Sequence, residues 1–308
     1  MVRAARYAMG TRFEVVLYGE RPGYLKAAAE EALNEIARLD AQLSFYRNDS
    51  DITDLNQRAA YEAVPVDPRL FTLLARAAEL SEQTDGAFDI TIAPLLRCWG
   101  FVGATGRMPM DSEVDDALTL TGMHHVVLDA ANFTVRFDRQ GVMLDLGAIG
   151  KGYAVDQAVE LLRENGIISA LLHGGTSSVY AIGAPPDTAG WSVALQRPFA
   201  SPDAPPLTIL TLRDAALSVS APHGKWFQSE GRRYGHVIDP RTGRPASRSL
   251  LAATLTDAAT DGDALSTALL VLGADWLPEF VQLKPSAGAI VVTEGADGAE
   301  AIIQSNGL

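Results

Sequence analysis

The chain has 308 residues, 47% of them hydrophobic and 20% charged, a composition that builds a large core and excludes a disordered chain. The single cysteine, Cys98, excludes an intrachain disulfide and any multi-cysteine zinc or iron–sulfur site. A formal charge of −13 argues against a broad nucleic-acid-binding face and for a surface on which a divalent cation helps to hold an anionic ligand.

No run reaches the ~18 apolar residues of a membrane span. Arg3 and Arg6 have no apolar stretch behind them, so no signal peptide is read. The expectation is a cytoplasmic protein as given, or a periplasmic one if an export segment is missing.

In chain order, Phe13, Val15 and Leu17 alternate with polar residues and predict a half-buried strand. Leu25, Ala29, Ala32, Ile36 and Leu39 recur at helical spacing. Leu43-Ser-Phe-Tyr46 carries an aromatic pair that either lines a planar ligand or belongs to the core. Asp67-Pro68 predicts an N-cap with proline at the first helical position, ahead of Leu70, Leu73, Leu74 and Ala77. Gly86-Ala-Phe-Asp-Ile-Thr91, running on to Trp99-Gly-Phe101, places aromatics near a small polar cluster and admits the same two readings. Residues 102–116 are expected to be loop.

Val142–Leu146 is expected to be a strand that enters the turn Gly147-Ala-Ile-Gly-Lys-Gly152, followed by a helix with Val155, Ala158, Val159 and Leu162 on one face. Such a turn can offer free backbone N–H groups and a lysine to phosphate. Its spacing is neither Walker A nor GxGxxG; an ordinary strand–helix turn fits the pattern equally well. Strands are predicted at Ile168–Leu172, ending at His173-Gly-Gly175, and at Trp191–Leu195, Leu207–Leu212, Leu251–Thr256 and Gly288–Thr293, with loops at 183–190 and 198–206.

His236-Val-Ile-Asp-Pro240-Arg-Thr-Gly243 joins a histidine to turn chemistry. That histidine is a general base, a phosphate partner or simply a satisfied side chain. Asp263–Leu272 predicts a buried helix. Asp263 and Thr267 share one of its faces, where a carboxylate and a hydroxyl can serve a hard cation such as Mg²⁺. The alternative is an N-cap aspartate followed by a back-bonded threonine. The pattern as a whole predicts one α+β unit, since no segment has the length of an interdomain linker.

Taken in order, these segments resemble the ApbE-type FAD:protein FMN transferases. The shared motifs are Met9-Gly-Thr11; Leu-Ser-x-Tyr46 with Ser50-Asp-Ile and Asn56; Gly86-Ala-Phe-Asp-Ile-Thr91; Asp145-Leu-Gly-Ala-Ile-Gly-Lys-Gly-Tyr153; Gly174-Gly175 with Gly183; His236-Val-Ile-Asp-Pro-x-Thr-Gly-x-Pro245; and Asp263-Ala-Leu-Ser-Thr-Ala-Leu269. The resemblance implies a T-fold-like single flavin transferase domain over residues 1–308, with two lobes and an FAD cleft between them. Met9, Tyr46, Ala87, Phe88, Asp89, Asp145, Lys151 and Ile238 would contact FAD. Ala148, through its carbonyl, would join Asp263 and Thr267 on Mg²⁺, and His236 would activate the acceptor. The implied reaction moves FMN from FAD to a Thr or Ser of a target flavoprotein subunit and releases AMP. Two rival readings are an FAD pyrophosphatase and a non-catalytic FAD-binding protein. The chain departs from the family at Ser218-Val-Ser-Ala-Pro-His223-Gly-Lys-Trp226, where Thr-Ser-Gly is usual, and at Asp261-Gly262, where Glu-Ala is common.

Overall fold

The computed structural model describes residues 1–103, 106–201, 204–222, 224–294 and 300–305. Its centre is one antiparallel sheet with strands in the spatial order Val2–Ala8, Thr11–Leu17, Ala170–Gly174, Ser178–Ile182, Ala215–Ser220, Leu251–Thr256, Gly288–Glu294 and Glu300–Gln304. Alternation along these strands divides the side chains between two cores. Phe13, Val15, Leu17 and Leu172 face one side, while Val179, Leu217, Ala253, Ile290 and Val292 face the other.

The described helices are α1 (Pro22–Leu43), α2 (Asp51–Arg58), α3 (Pro68–Gln83), α4 (Ala93–Cys98), α5 (Asp111–Leu118), α6 (Gly150–Glu164), α7 (Ala259–Leu272) and α8 (Leu277–Leu283). Helices α1, α6 and α7 cover the first face of the sheet. Small residues on their inner faces (Ala28, Ala29 and Ala32 in α1, Ala154 and Ala158 in α6, Ala264 and Ala268 in α7) let the backbones approach closely. As its sequence predicts, α3 starts at a cap: the Asp67 carboxylate accepts the Arg69 amide at 2.8 Å, with Pro68 next.

A hairpin of Trp191–Leu195 and Thr208–Leu212 covers part of the second face, where Trp191 and Leu195 join the core. A third cluster gathers Leu95, Trp99, Phe101, Val114 and Ile238 from α4, α5 and the turn of the histidine motif. The Trp99 indole donates to the Gly243 carbonyl at 2.8 Å. Gly243 has φ +68°, and a Cβ there would lie 2.5 Å from Val114, so the turn needs glycine. This aromatic cluster is a smaller lobe set against the sheet-and-helix body.

Four expectations change. Val142–Leu146 is not a strand. The amide of Asn56 takes the place of a neighbouring strand, donating to the Leu144 carbonyl at 2.9 Å and accepting its N–H at 2.7 Å. Residues 102–116 are not all loop, because α5 starts at Asp111, where the Glu113 carboxylate accepts the Met110 amide at 2.7 Å. The strand expected over Ile168–Leu172 is displaced and runs through His173 and Gly174. Finally, α7 begins at Ala259, so Asp263 lies inside the helix rather than at its cap. None of the described helices is long and apolar enough to cross a membrane.

Candidate active site

A cleft of about 990 Å³ opens where the body meets the aromatic lobe. Tyr46, Ala87, Phe88, Asp89, Asp145, Ala148, Lys151, His236, Ile238, Asp263 and Thr267 all line it. Met9 is the predicted position that does not. It occupies the turn between the first two strands with φ 49° and packs toward the helix-side core. Its neighbour Thr11 abuts the cleft residue Gly175, where a Cβ would lie 2.4 Å from the Thr11 hydroxyl.

Helix α7 supplies the deepest polar groups. Asp263 is 6% exposed. One carboxylate oxygen accepts the Gly152 amide at 2.6 Å and the other accepts the Ser178 hydroxyl at 2.7 Å. Burial pushes its carboxyl upward, opposed by Lys151 and by these donors. The Thr267 hydroxyl reaches back to the Asp263 carbonyl at 3.1 Å and meets the Ser220 hydroxyl at 3.1 Å. The back-bonded threonine and the cleft-lining threonine are thus the same residue.

Four amides of the glycine turn have partners inside the protein. The Gly147 amide donates to Asp145, those of Ile149 and Gly150 donate to Leu146, and that of Gly152 donates to Asp263. Gly152 is the third residue of α6, so its amide is one that no helical carbonyl satisfies, and Asp263 takes it. Ala148, ahead of the N-cap Ile149, lines the cleft. Lys151 places its ammonium 3.3 Å from the Gly147 carbonyl. Asp145 is buried, and burial raises its pKa against the pull of the Gly147 amide, Lys225 and Lys151.

Asp89 lines the cleft, but its carboxylate already accepts from the Thr91 amide and hydroxyl, the Met123 amide and the Ser81 hydroxyl at 2.6 to 3.3 Å. It fixes the loop that carries Ala87 and Phe88. Tyr46 is 62% exposed, with the Lys225 ammonium 5.3 Å from its ring centre. His236 stands with Nδ1 3.2 Å from the Lys225 carbonyl and its ring 6.4 Å from that of Phe101. His223, in the departing segment, lies outside the described residues.

Among the described residues, no three His, Cys, Asp or Glu side chains gather as a metal-ligand group. The donors present are of another kind: a backbone carbonyl, a buried carboxylate that forms no salt bridge among the described residues, and a hydroxyl. All are hard oxygens, which fits a cation that keeps water or phosphate in its remaining positions.

The ApbE family model matches residues 9–291. The chain belongs to the ApbE family. Among curated relatives, the FAD:protein FMN transferase of Treponema pallidum is 31% identical over 94% of this chain and 83% of its own length. That of Salmonella typhimurium is 32% identical over 93% of this chain and 83% of its own. The solved ApbE protein of Thermotoga maritima superposes with a TM-score of 0.89 at 30% identity, covering 99% of this chain and 97% of that one. The flavin transferase ApbE of Vibrio cholerae gives 0.86 at 27% identity, covering 99% and 97%.

Several groups in and behind this ApbE-family cleft carry no local sequence signal. Ser178 and Ser220 reach the α7 residues from strands distant in the chain. Asp156, at the end of the glycine motif, caps α7 from outside: its carboxylate accepts the Ala259 and Thr260 amides, each at 2.8 Å. Ala258, at the N-cap of α7, provides no side-chain cap, and that missing cap is the one hint a sequence could offer.

Proposed function

We propose that residues 1–308 act as one flavin transferase domain that moves FMN from FAD to a Thr or Ser hydroxyl of a target protein, with release of AMP. The observation that carries this reading is the convergence of the glycine turn, the histidine motif and the α7 motif on one cleft, together with family membership. Tyr46 offers an aromatic face to a flavin or adenine ring. Ala87, Phe88, Asp145 and Ile238 form the wall against which FAD lies, and Asp89 holds that wall in place. Lys151 attracts the diphosphate.

The Ala148 carbonyl, Asp263 and Thr267 would hold Mg²⁺, which when bound supplies charge neutralisation at the diphosphate oxygens. The chain's own residues do the remainder. Asp263 is preset by Gly152 and Ser178. A hydroxyl acceptor still carries its proton at neutral pH, so it needs a base. His236 Nδ1 lies 3.2 Å from the Lys225 carbonyl and 3.4 Å from the Lys225 amide; in the tautomer that donates Nδ1–H to the carbonyl, the lone pair is on Nε2. That nitrogen takes the proton as the acceptor oxygen bonds the FMN phosphorus; the bond from that phosphorus to the bridging oxygen breaks and AMP leaves.

The test is an AMP-release assay with FAD and Mg²⁺, run with and without an acceptor protein, alongside in-gel flavin fluorescence. AMP together with a fluorescent acceptor band supports the transferase. AMP and free FMN in the acceptor-free arm point to a pyrophosphatase. If no AMP forms in either arm, the reading is overturned in favour of FAD binding alone.

A further inference from the structure

The cleft has a second set of walls that the family motifs do not supply. Its floor there is the outer face of the main sheet, with Leu171, Val179, Leu217 and Leu251. Its side is the hairpin strand Trp191–Leu195 and the residues just after it. Ser192 through Arg197 line the cleft without a gap. Consecutive residues of a strand point to opposite faces, so it is the edge of this strand, not one face, that borders the cleft.

That edge is open. Among the described residues, Trp191–Leu195 pairs with Thr208–Leu212 and with no other strand. The Leu195 carbonyl accepts the Leu207 amide at 2.7 Å, so Leu195 turns its backbone polar groups toward its partner strand. Successive residues alternate in this respect. Ser192 and Ala194 therefore turn their N–H and C=O outward, and both residues are exposed.

Resting on the transferase reading, we propose that the acceptor binds here as an extended segment that adds a strand to the Trp191–Leu195 edge. Backbone bonds to Ser192 and Ala194 would hold it. Alternate side chains of the segment would lie on the floor of Leu171, Val179, Leu217 and Leu251, favouring small or apolar residues at every second position. The occupant is a polypeptide because the cleft that holds the reacting groups is continuous with this edge, and an open edge offers backbone donors and acceptors that a second backbone matches.

The experiment uses the full chain, FAD, Mg²⁺ and a panel of synthetic dodecapeptides with a central Thr and varied flanks, read by peptide fluorescence. On a peptide that is labelled, each backbone amide in turn is N-methylated. The expected result is a loss in kcat/KM of about tenfold at every second position on one side of the Thr. Ser192→Pro and Ala194→Pro remove the outward N–H groups and are expected to lower acceptor kcat/KM by a similar factor with FAD affinity unchanged. Ser192→Ala, which keeps its N–H, should lower acceptor kcat/KM far less than Ser192→Pro. Labelling with no periodicity in the methyl scan overturns this inference and leaves the transferase reading standing. Failure to label any peptide or protein acceptor overturns both. A dimer that Ser192→Pro dissociates would assign the edge to self-association instead.

Discussion

The Gly152 amide donates to the Asp263 carboxylate at 2.6 Å, tying the first turn of α6 to the second turn of α7. The bond fixes a buried carboxylate and satisfies one of the orphan amides at the start of α6. Two residues separated by more than a hundred positions thus position one of the oxygens proposed for the cation.

Gly152→Ala tests that tie. A Cβ at this position would lie 2.1 Å from the Ala259 carbonyl oxygen, a backbone atom with no means of swinging away. The helices must separate, at a cost of about 1–3 kcal/mol, and Asp263 loses its register. The expected outcome is a lower Tm together with weaker Mg²⁺ dependence of AMP release, measured by thermal unfolding and by a metal titration of the rate.

Asp263→Ala removes the carboxylate and keeps the fold. Metal-dependent AMP release should fall by about 10²-fold or more, with the far-UV spectrum unchanged. Mg²⁺-dependent turnover at the wild-type rate would remove Asp263 from the site.

His236→Ala should slow transfer by about 10²–10⁴-fold and leave FAD affinity within a few fold. Single-turnover kinetics and equilibrium FAD titration separate the two effects. Equal losses in both would make His236 a binding residue.

Asp156→Ala strips α7 of the cap that α6 lends it. The Ala259 and Thr260 amides lose their acceptor, and stability should fall by about 1–2 kcal/mol. Denaturant unfolding gives the value; an unchanged midpoint would mean that water replaces the cap.

The pH dependence of stability has a readable contribution from Asp261. Burial raises its carboxyl, but the bidentate Arg76 of α3 and Lys284 outweigh this and hold it below the ordinary aspartate value. A depressed folded pKa gives stability that is present above about pH 4, the unfolded value, and that is lost as pH falls through the folded one. Asp261→Asn should therefore flatten the acid limb of a stability–pH curve. The same contacts give a reason for aspartate here. Gly262 beside it has its own reason: a Cβ would lie 2.7 Å from the Ser218 hydroxyl.

Local rules made much of this chain legible. Alternation placed the strand of Phe13, Val15 and Leu17, and periodicity placed α1 and α3. The Asp-Pro pair placed the start of α3, and Asp-Pro-Arg-Thr-Gly placed the turn after His236. The family resemblance named a set of residues that, Met9 apart, lines one cleft. Local rules failed where a partner came from elsewhere in the chain. Val142–Leu146 has the composition of a strand, yet the Asn56 amide satisfies it. The glycine turn has the composition of an anion cradle, yet four of its amides are spent on Asp145, Leu146 and Asp263.

The sequence by itself determined which side chains could carry the chemistry, because residue type and short-range spacing are local properties. Only the tertiary structure decided what each group is left to do. The Asp89 carboxylate is spent on four protein donors, whereas Asp263 accepts the Gly152 amide and the Ser178 hydroxyl and lines the cleft. Which of these holds depends on hydrogen bonds between residues far apart in the chain, and packing of the sheet against α6 and α7 selects those partners.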